Sequence, residues 1–242
     1  MYKVEWTWLL VNMPTARSAA LVRPWRGVSA EDRTSERHER LMEAGLEVFA
    51  TTGYAASSVR EISRAAGLTE RYFYESFENR EALLSALADL IVSDFLAAAA
   101  PVLPLDADDL PRAVGRGVEA FVASLADDPR RARVLMVETV GVSPAAEEHR
   151  RAVIGGLVAF IRQSMEQVYG HWARESTEVE LLSRSLIGAA QELLVAHVRG
   201  ELGTTRSQLV ENLTWLFLAV GPIVSALPGY PPQTPSQSKE KR

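Results

Sequence analysis

The chain has 242 residues, 47% of them apolar and 24% charged, with 15 glycines, 12 prolines and no cysteine. That length and apolar share suffice for one large or two modest packed domains and exclude collagen-like and wholly disordered chains. The missing thiol excludes disulfide frameworks, thiolate metal sites and cysteine nucleophiles and fits a reducing, cytoplasmic setting. The net charge is −5, with 11 Lys/Arg against 12 Asp/Glu in residues 1–85, which argues against a polybasic nucleic-acid binder and leaves that role to local geometry.

Residues 1–35 read as an irregular arm: they carry Arg17, Arg23, Arg26 and Arg33, are broken by Pro14, Pro24 and Gly27, and show no sustained periodicity. The apolar run Trp6 to Val11 is short for a signal-peptide core, and Met13 is an alternative start. From Arg37 to Ala50 the pattern becomes helical, with Leu41, Ala44 or Gly45, Val48 and Phe49 on one side and Glu39, Arg40, Glu43 and Glu47 on the other; Gly53 stops it.

Ser58-Val59-Arg60-Glu61 fits a capping box, so a helix is expected from Ser58, with Val59, Ile62 and Ala65 or Ala66 as its apolar face. Gly67 can end that helix in the left-handed conformation, with Leu68 packing back. Thr69 is placed to cap the next helix. There Phe73 and Phe77 lie four apart and point inward, leaving Glu70, Arg71, Tyr72, Tyr74 and Ser76 on the other faces. Asn79 then caps a long helix, striped by Leu83, Leu84, Leu87, Leu90 and Ile91, that runs towards Ala100 and ends at Pro101.

Helix, glycine-containing turn and short aromatic helix together make a helix-turn-helix, with Thr69 to Ser76 as the reading helix. Arg71 and Tyr72 are candidates for base edges in a major groove and Tyr74 for phosphate. Ser58, Thr69 and Arg80 stand at helix starts, where spare amides favour phosphate. Glu70 and Glu75 lie nearby and repel it. Gly53-Tyr54, Ser57 to Ile62, Ala65 to Thr69, Tyr72-Phe73-Tyr74, Phe77 and Asn79 to Leu83 together resemble the N-terminal DNA-binding domain of the tetracycline-repressor (TetR) family over about residues 37–85. The resemblance implies phosphate contacts for Ser58 and Thr69 beyond capping, and a base or phosphate contact for Arg60. It also implies a homodimer on palindromic double-stranded operator DNA, usually a repressor, which a small-molecule effector releases.

Helical periodicity continues over 109–126, 130–140, 145–169, 177–200 and 206–227, punctuated by Pro129, Gly141 with Pro144, Gly170 and Gly203. The expected fold is therefore all-α: an arm over 1–35, a three-helix helix-turn-helix domain over 36–82 and a helical ligand-binding and dimerisation domain over 83–228. A Pro/Ser/Gln-rich disordered tail over 229–242 completes the chain.

Two helices are apolar on more than one side. Leu182, Leu186, Ala189, Ala190 and Leu193 form one stripe near 177–200, and Leu181, Ile187, Leu194 and Val198 a second; Leu209, Leu213, Leu216, Phe217, Val220, Ile223, Val224 and Leu227 do the same near 206–227. One stripe of each is expected to pack within the monomer and the other against a second subunit, with Gly188 permitting close approach. The run Leu213 to Leu227 falls short of the ~20 residues a bilayer requires and holds Gly221-Pro222, so no membrane partner is expected.

Catalytic motifs are poor. His38, His149, His171 and His197 are scattered and none stands in a metal-ligand pattern, so no metal, cofactor or catalytic residue is assigned. Gly115 to Ala120 matches a dinucleotide fingerprint without the strand it requires, and Asn212-Leu213-Thr214 is a glycosylation triplet inside an apolar helix. A ligand pocket, if built from the middle helices, would draw on Phe121, Met136, Glu138, Thr139, Phe160, Met165, Gln191 and Glu192, which mix apolar walls with a few polar groups. A helical adaptor using the aromatic helix on protein, or a helical enzyme, are the alternatives to a DNA-binding regulator.

Overall fold

A computed structural model describes residues 30–102, 109–227 and 230. Most of the N-terminal arm and all but Tyr230 of the C-terminal tail lie outside the described residues. Among the described residues all regular elements are helical: α1 Ala30–Thr51, α2 Val59–Ala65, α3 Glu70–Ser76, α4 Arg80–Ala99 and a 3-10 turn Ala100–Val102, then α5 Leu110–Ala126 and α6 Pro129–Arg133. A π-helical turn Val134–Glu138 follows, then α7 Pro144–Tyr169, α8 Trp172–Glu175, α9 Thr177–Val198, α10 Arg206–Leu218 and α11 Val220–Ser225.

Several expected boundaries move. α1 begins at Ala30, inside the stretch read as irregular, because residues 32–36 are helical but wholly exposed and so carry no apolar stripe to announce them. The expected helix over 130–140 is a five-residue α-helix running into the π turn, with Pro129 at its first position and the Asp128 carboxylate accepting from the Arg130 amide at 3.1 Å. Gly200, at φ 72°, ends α9 in place of Gly203. The 206–227 helix breaks at Ala219, and the short α8 has no expected counterpart.

Compactness divides the chain into two units, neither of which follows the boundary at residue 83. One holds the described residues before 98 together with Ala123–Gly156; the other holds Ala98–Val122 and the residues from Leu157 on. In the first unit Leu41, Phe49, Ile62, Phe73, Leu83, Leu84 and Leu87 form a core that also takes in Val134 of the π turn. The reason is steric as well as apolar. At Gly45 of α1 a Cβ would lie 2.7 Å from Cδ2 of Leu83 on α4, so any larger residue there would have to displace the buried Leu83 side chain.

In the second unit Met165, Ala173, Val179, Leu186, Val220 and Val224 form the core, flanked by Trp172, Leu216 and Phe217. Ser176 caps α9 through the Val179 amide, and Thr205 and Gln208 close a full capping box on α10. The buried face of α9 runs Val179, Ser183, Leu186, Ala190, Leu194, which takes members from both expected stripes; Leu181 stays 60% exposed. On the following helices Trp215 and Ile223 are exposed as well.

Among the described residues two helical stretches are long and apolar enough to cross a membrane, Arg80–Val102 and Arg206–Ser225. The first lays Leu83, Leu84, Leu87 and Ile91 into the protein interior, and the second is interrupted at Ala219.

Candidate nucleic-acid interface

The reading head is built from the turn outward. α2 ends where Gly67 takes φ +63°, and the closing bonds run from the Gly67 amide to Arg64 O (3.0 Å) and from the Leu68 amide to Ser63 O (2.8 Å). The Arg40 guanidinium adds a cation at this helix C-terminus, donating to Ala66 O at 2.5 Å. The chain then re-enters helix at α3, whose Phe73 is fully buried, with Phe77 closing its end.

Burying Phe73 fixes what faces outward. Arg71 is exposed and its Nε donates to Glu75 Oε1 at 2.9 Å. Tyr74 is 59% exposed and meets the Phe73 ring edge-on at 5.5 Å. Tyr72 is half-buried, with the Arg37 guanidinium stacked 4.6 Å from its ring centre. Ser76 is half-buried, and Arg60 is exposed on α2. The three α3 side chains expected to read bases and phosphate thus come together on one short helix.

Three expectations at the helix starts change. Only half of the capping box at Ser58 forms: Ser58 Oγ accepts from the Glu61 amide at 3.2 Å, while the Glu61 carboxylate turns away to accept from Thr52 Oγ1 at 3.1 Å. Thr69 occupies the N-cap position of α3, but its side chain makes no capping bond and is exposed. Arg80, expected at phosphate, turns inward. Its Nη1 donates to Tyr54 O and Ser57 O (both 2.6 Å) and to Ser57 Oγ (2.8 Å), and its guanidinium lies 4.8 Å from the Tyr54 ring centre. Those carbonyls belong to the loop between α1 and α2, so Arg80 ties that loop to the start of α4, a task its place beside the Asn79 cap does not reveal.

Sequence reading missed Arg37, His38 and Arg40. His38 stacks on Phe77 at 4.7 Å, so three neighbouring residues of α1 brace α2 and α3. Their partners lie 26 to 39 positions away, beyond the reach of any local spacing rule.

The eight residues expected to line a pocket fall in both units. Met136, Glu138 and Thr139 belong to the first unit, and Phe121, Phe160, Met165, Gln191 and Glu192 to the second. Met165 is part of the packed core and Glu192 is exposed. Glu138 is a structural tie: its carboxylate accepts from the Tyr54 amide at 2.8 Å and from Arg133 Nε at 3.2 Å. Thr139 lines a recess. It opens among Leu84 and Ala88 of α4, Leu135 of the π turn and Thr139 just after it, and His149 and Val153 of α7, with free space of about 20 Å³, enough for one water-sized molecule.

Around that recess the α6–π segment grips the reading head through polar groups. Arg130 donates to Glu43 and Glu47 of α1, both at 2.9 Å, and to Asp128 at 2.8 Å; these carboxylates, Asp128 first, push the guanidinium pKa further up, while the bond from Arg130 lowers that of Asp128. Ser143 donates to Glu81 of α4 at 2.7 Å, and Arg131 pairs with Asp94. His149 Nε2 lies 3.0 Å from Asp89, and the polar contact with that carboxylate raises the imidazole pKa against the opposing effect of burial.

Comparison with known proteins agrees with this geometry. Residues 41–87 match the family described as bacterial regulatory proteins, tetR family. A 58-residue stretch is 31% identical to an uncharacterized HTH-type transcriptional regulator, YerO, of Bacillus subtilis (strain 168), covering 24% of this chain and 20% of that protein. The aligned stretch thus spans about a fifth of the curated relative. Among solved structures, the fatty acid degradation regulator FadR from Bacillus halodurans superposes with a TM-score of 0.67 at 18% identity, over 80% of this chain and 97% of that one. FadR from Bacillus subtilis in complex with stearoyl-CoA gives 0.66 at 17% identity, over 75% and 98%. At such identity the likeness is one of fold.

Proposed function

Because residues 41–87 match the tetR family of bacterial regulatory proteins, we propose that the chain is a ligand-responsive, DNA-binding transcriptional regulator that acts as a homodimeric repressor on a palindromic operator. The observation that carries this reading is α3 itself: Phe73 is buried, while Arg71, Tyr72 and Tyr74 are presented together on a short helix after a glycine turn. Arg71 and Tyr72 would read base edges, Tyr74, Ser58 and Thr69 would take phosphate, and Arg60 would contact base or phosphate.

The dimer is assigned to α9, α10 and α11, where Leu181, Trp215 and Ile223 remain exposed. A two-fold axis there would set the two α3 helices about one DNA turn apart, roughly 34–36 Å or a multiple of it.

The switch is assigned to the recess in the first unit. Its space is far below the ~300 Å³ of an ordinary ligand pocket, so an effector must open it. Two of its walls, Leu135 in the π turn and Thr139 directly after it, flank Glu138, which holds the Tyr54 amide, and the neighbouring Arg130 holds α1. Displacing that turn would shift the reading head, and π turns are common at such functional points. The effector must bind the displaced arrangement more tightly than the closed one. Stearoyl-CoA, held by the Bacillus subtilis FadR structure, is the first compound to try.

The test is a gel shift of the full chain on the intergenic DNA upstream of its own gene, with and without stearoyl-CoA. A discrete complex that random duplex does not compete away supports DNA regulation, and its loss or gain with the acyl-CoA supports the effector class. Equal competition by random duplex would contradict operator binding.

A further inference from the structure

Resting on the reading of α3 as the DNA-reading helix, we infer that Arg37 of α1 is a specificity-determining residue that acts through Tyr72, so operator choice is set partly from outside the helix-turn-helix. Tyr72 is the odd member of the outward-facing set. Arg71 and Tyr74 are exposed, whereas Tyr72 is half-buried with the Arg37 guanidinium over its face at 4.6 Å. A phenol ring on a seven-residue helix has two free torsions, and a stacked planar cation removes most of that freedom before DNA arrives. The Arg37 side chain is itself steadied, because its Nη2 also donates to Thr34 Oγ1 at 3.1 Å, one turn earlier on α1.

Placement supports the same conclusion. The next residue, His38, stacks on Phe77 at the end of α3, and Arg40 caps α2 at Ala66 O, so α1 is tied to both α2 and α3 just after Arg37. Those two ties hold the three helices together without passing through Tyr72. Its interaction is with the one candidate base-reading ring that is not freely exposed, and it brings a positive charge to that ring beside the acidic Glu70 and Glu75.

The experiment uses the full-length chain. Its preferred site is selected from a random-sequence duplex pool, and affinities for that site and for a scrambled duplex are then measured at one salt concentration for wild type, Arg37→Ala, Arg37→Lys, Tyr72→Ala, Tyr72→Phe and Arg37→Ala with Tyr72→Ala. Arg37→Ala is expected to weaken the selected site roughly tenfold, the scale of a desolvated cation–π contact, with less than half that effect on the scrambled duplex. Arg37→Lys should recover only part of the loss, because an ammonium lacks the planar face. The double variant should be no worse than Tyr72→Ala, and a seventh protein, Arg37→Ala with Tyr72→Phe, should bind more weakly than Tyr72→Phe, because the ring remains. Circular dichroism and melting of Arg37→Ala should match wild type.

Equal losses on both duplexes, or additive losses in the double variant, would overturn the inference and make Arg37 a phosphate contact. Loss of the fold in Arg37→Ala would make it structural, which the Arg37→Lys and Tyr72→Phe proteins test independently. If wild type enriches no sequence, the DNA-binding reading falls and this inference with it; if wild type enriches a site and Arg37→Ala binds it equally well, only the inference falls.

Discussion

Tyr74 and Trp215 are about equally exposed, at 59% and 66%, yet they stand in opposite surroundings. Around Tyr74 lie Glu70, Arg71, Glu75 and Ser76, so the ring carries a hydroxyl and sits among groups that exchange hydrogen bonds with water or a polar ligand. Trp215 belongs to a pair of C-terminal helices whose other large exposed apolar side chain is Ile223, with Leu181 exposed on the helix that precedes them. An exposed aromatic among polar neighbours suits a nucleic-acid groove; one accompanied by exposed aliphatics suits a second copy of the same surface. The two units differ inside as well. Both have polar ties between segments more than 80 residues apart, but those of the first, Arg130 to Glu43 and Glu138 to the Tyr54 amide, engage α1 and the loop after it, whereas that of the second, Arg206 to Glu119, joins α10 to α5 beside an apolar core of Met165, Leu186, Val220 and Val224. Ties of direction and charge can be rearranged between discrete states, and apolar packing holds a dimer without regard to fine geometry.

That contrast can be broken most forcefully at Phe73. Phe73→Ala should cost about 3–5 kcal/mol in the first unit, since a fully buried ring leaves a cavity that three short helices cannot fill, and urea unfolding should become biphasic as the second unit survives. A single unchanged transition would mean that α3 does not depend on this core.

The next largest effect belongs to the other unit. Leu181→Glu with Trp215→Glu should give a monomer by sedimentation velocity with unchanged helicity, and operator affinity should fall by roughly 10²-fold or more as two linked half-sites become independent. These positions are better probes than Leu216, which packs in the core of the unit, or Leu193, which is half-buried. A doubly substituted protein that still sediments as a dimer would move the interface elsewhere.

Glu138→Ala sharpens the account of the ties. It should cost about 1 kcal/mol by urea unfolding, because the half-buried Tyr54 amide loses its acceptor, and the effector's influence on DNA affinity should shrink. Full effector response in this variant would exclude the π turn as the relay.

The smallest effect is a pH dependence. His149 has a raised pKa in the folded protein, so its pairing with Asp89 stabilises fully below the ordinary imidazole value of 6.5 and is lost as pH rises through the raised value. Asp89→Asn should therefore destabilise most in that acidic range, by no more than about 1 kcal/mol given the exposure of the carboxylate, and should match wild type at high pH. A difference that persists at high pH would point to packing rather than charge.

What could be read in the sequence follows from the range over which each signal acts. The Ser58 start, the Gly67 stop, the Asn79 cap and the inward Phe73 and Phe77 are encoded within a few residues and appear where spacing places them. Arg80 and Glu138 illustrate the opposite case. Each looks like a group free for a ligand, yet each is engaged by backbone of the loop between α1 and α2, in the case of Glu138 across 84 positions. The buried face of α9 was ambiguous because both of its sides are apolar, and composition alone cannot say which one the monomer covers. The first turn of α1 was invisible for want of any apolar residue to mark it.

The central claim, that α3 reads a specific DNA sequence, is tested most directly by one ratio. It is the affinity of the wild-type protein for its selected operator divided by that for a scrambled duplex of equal length at the same salt concentration. The account predicts a ratio of about 10³ or more, the scale of specific over non-specific binding. A ratio near one would contradict it.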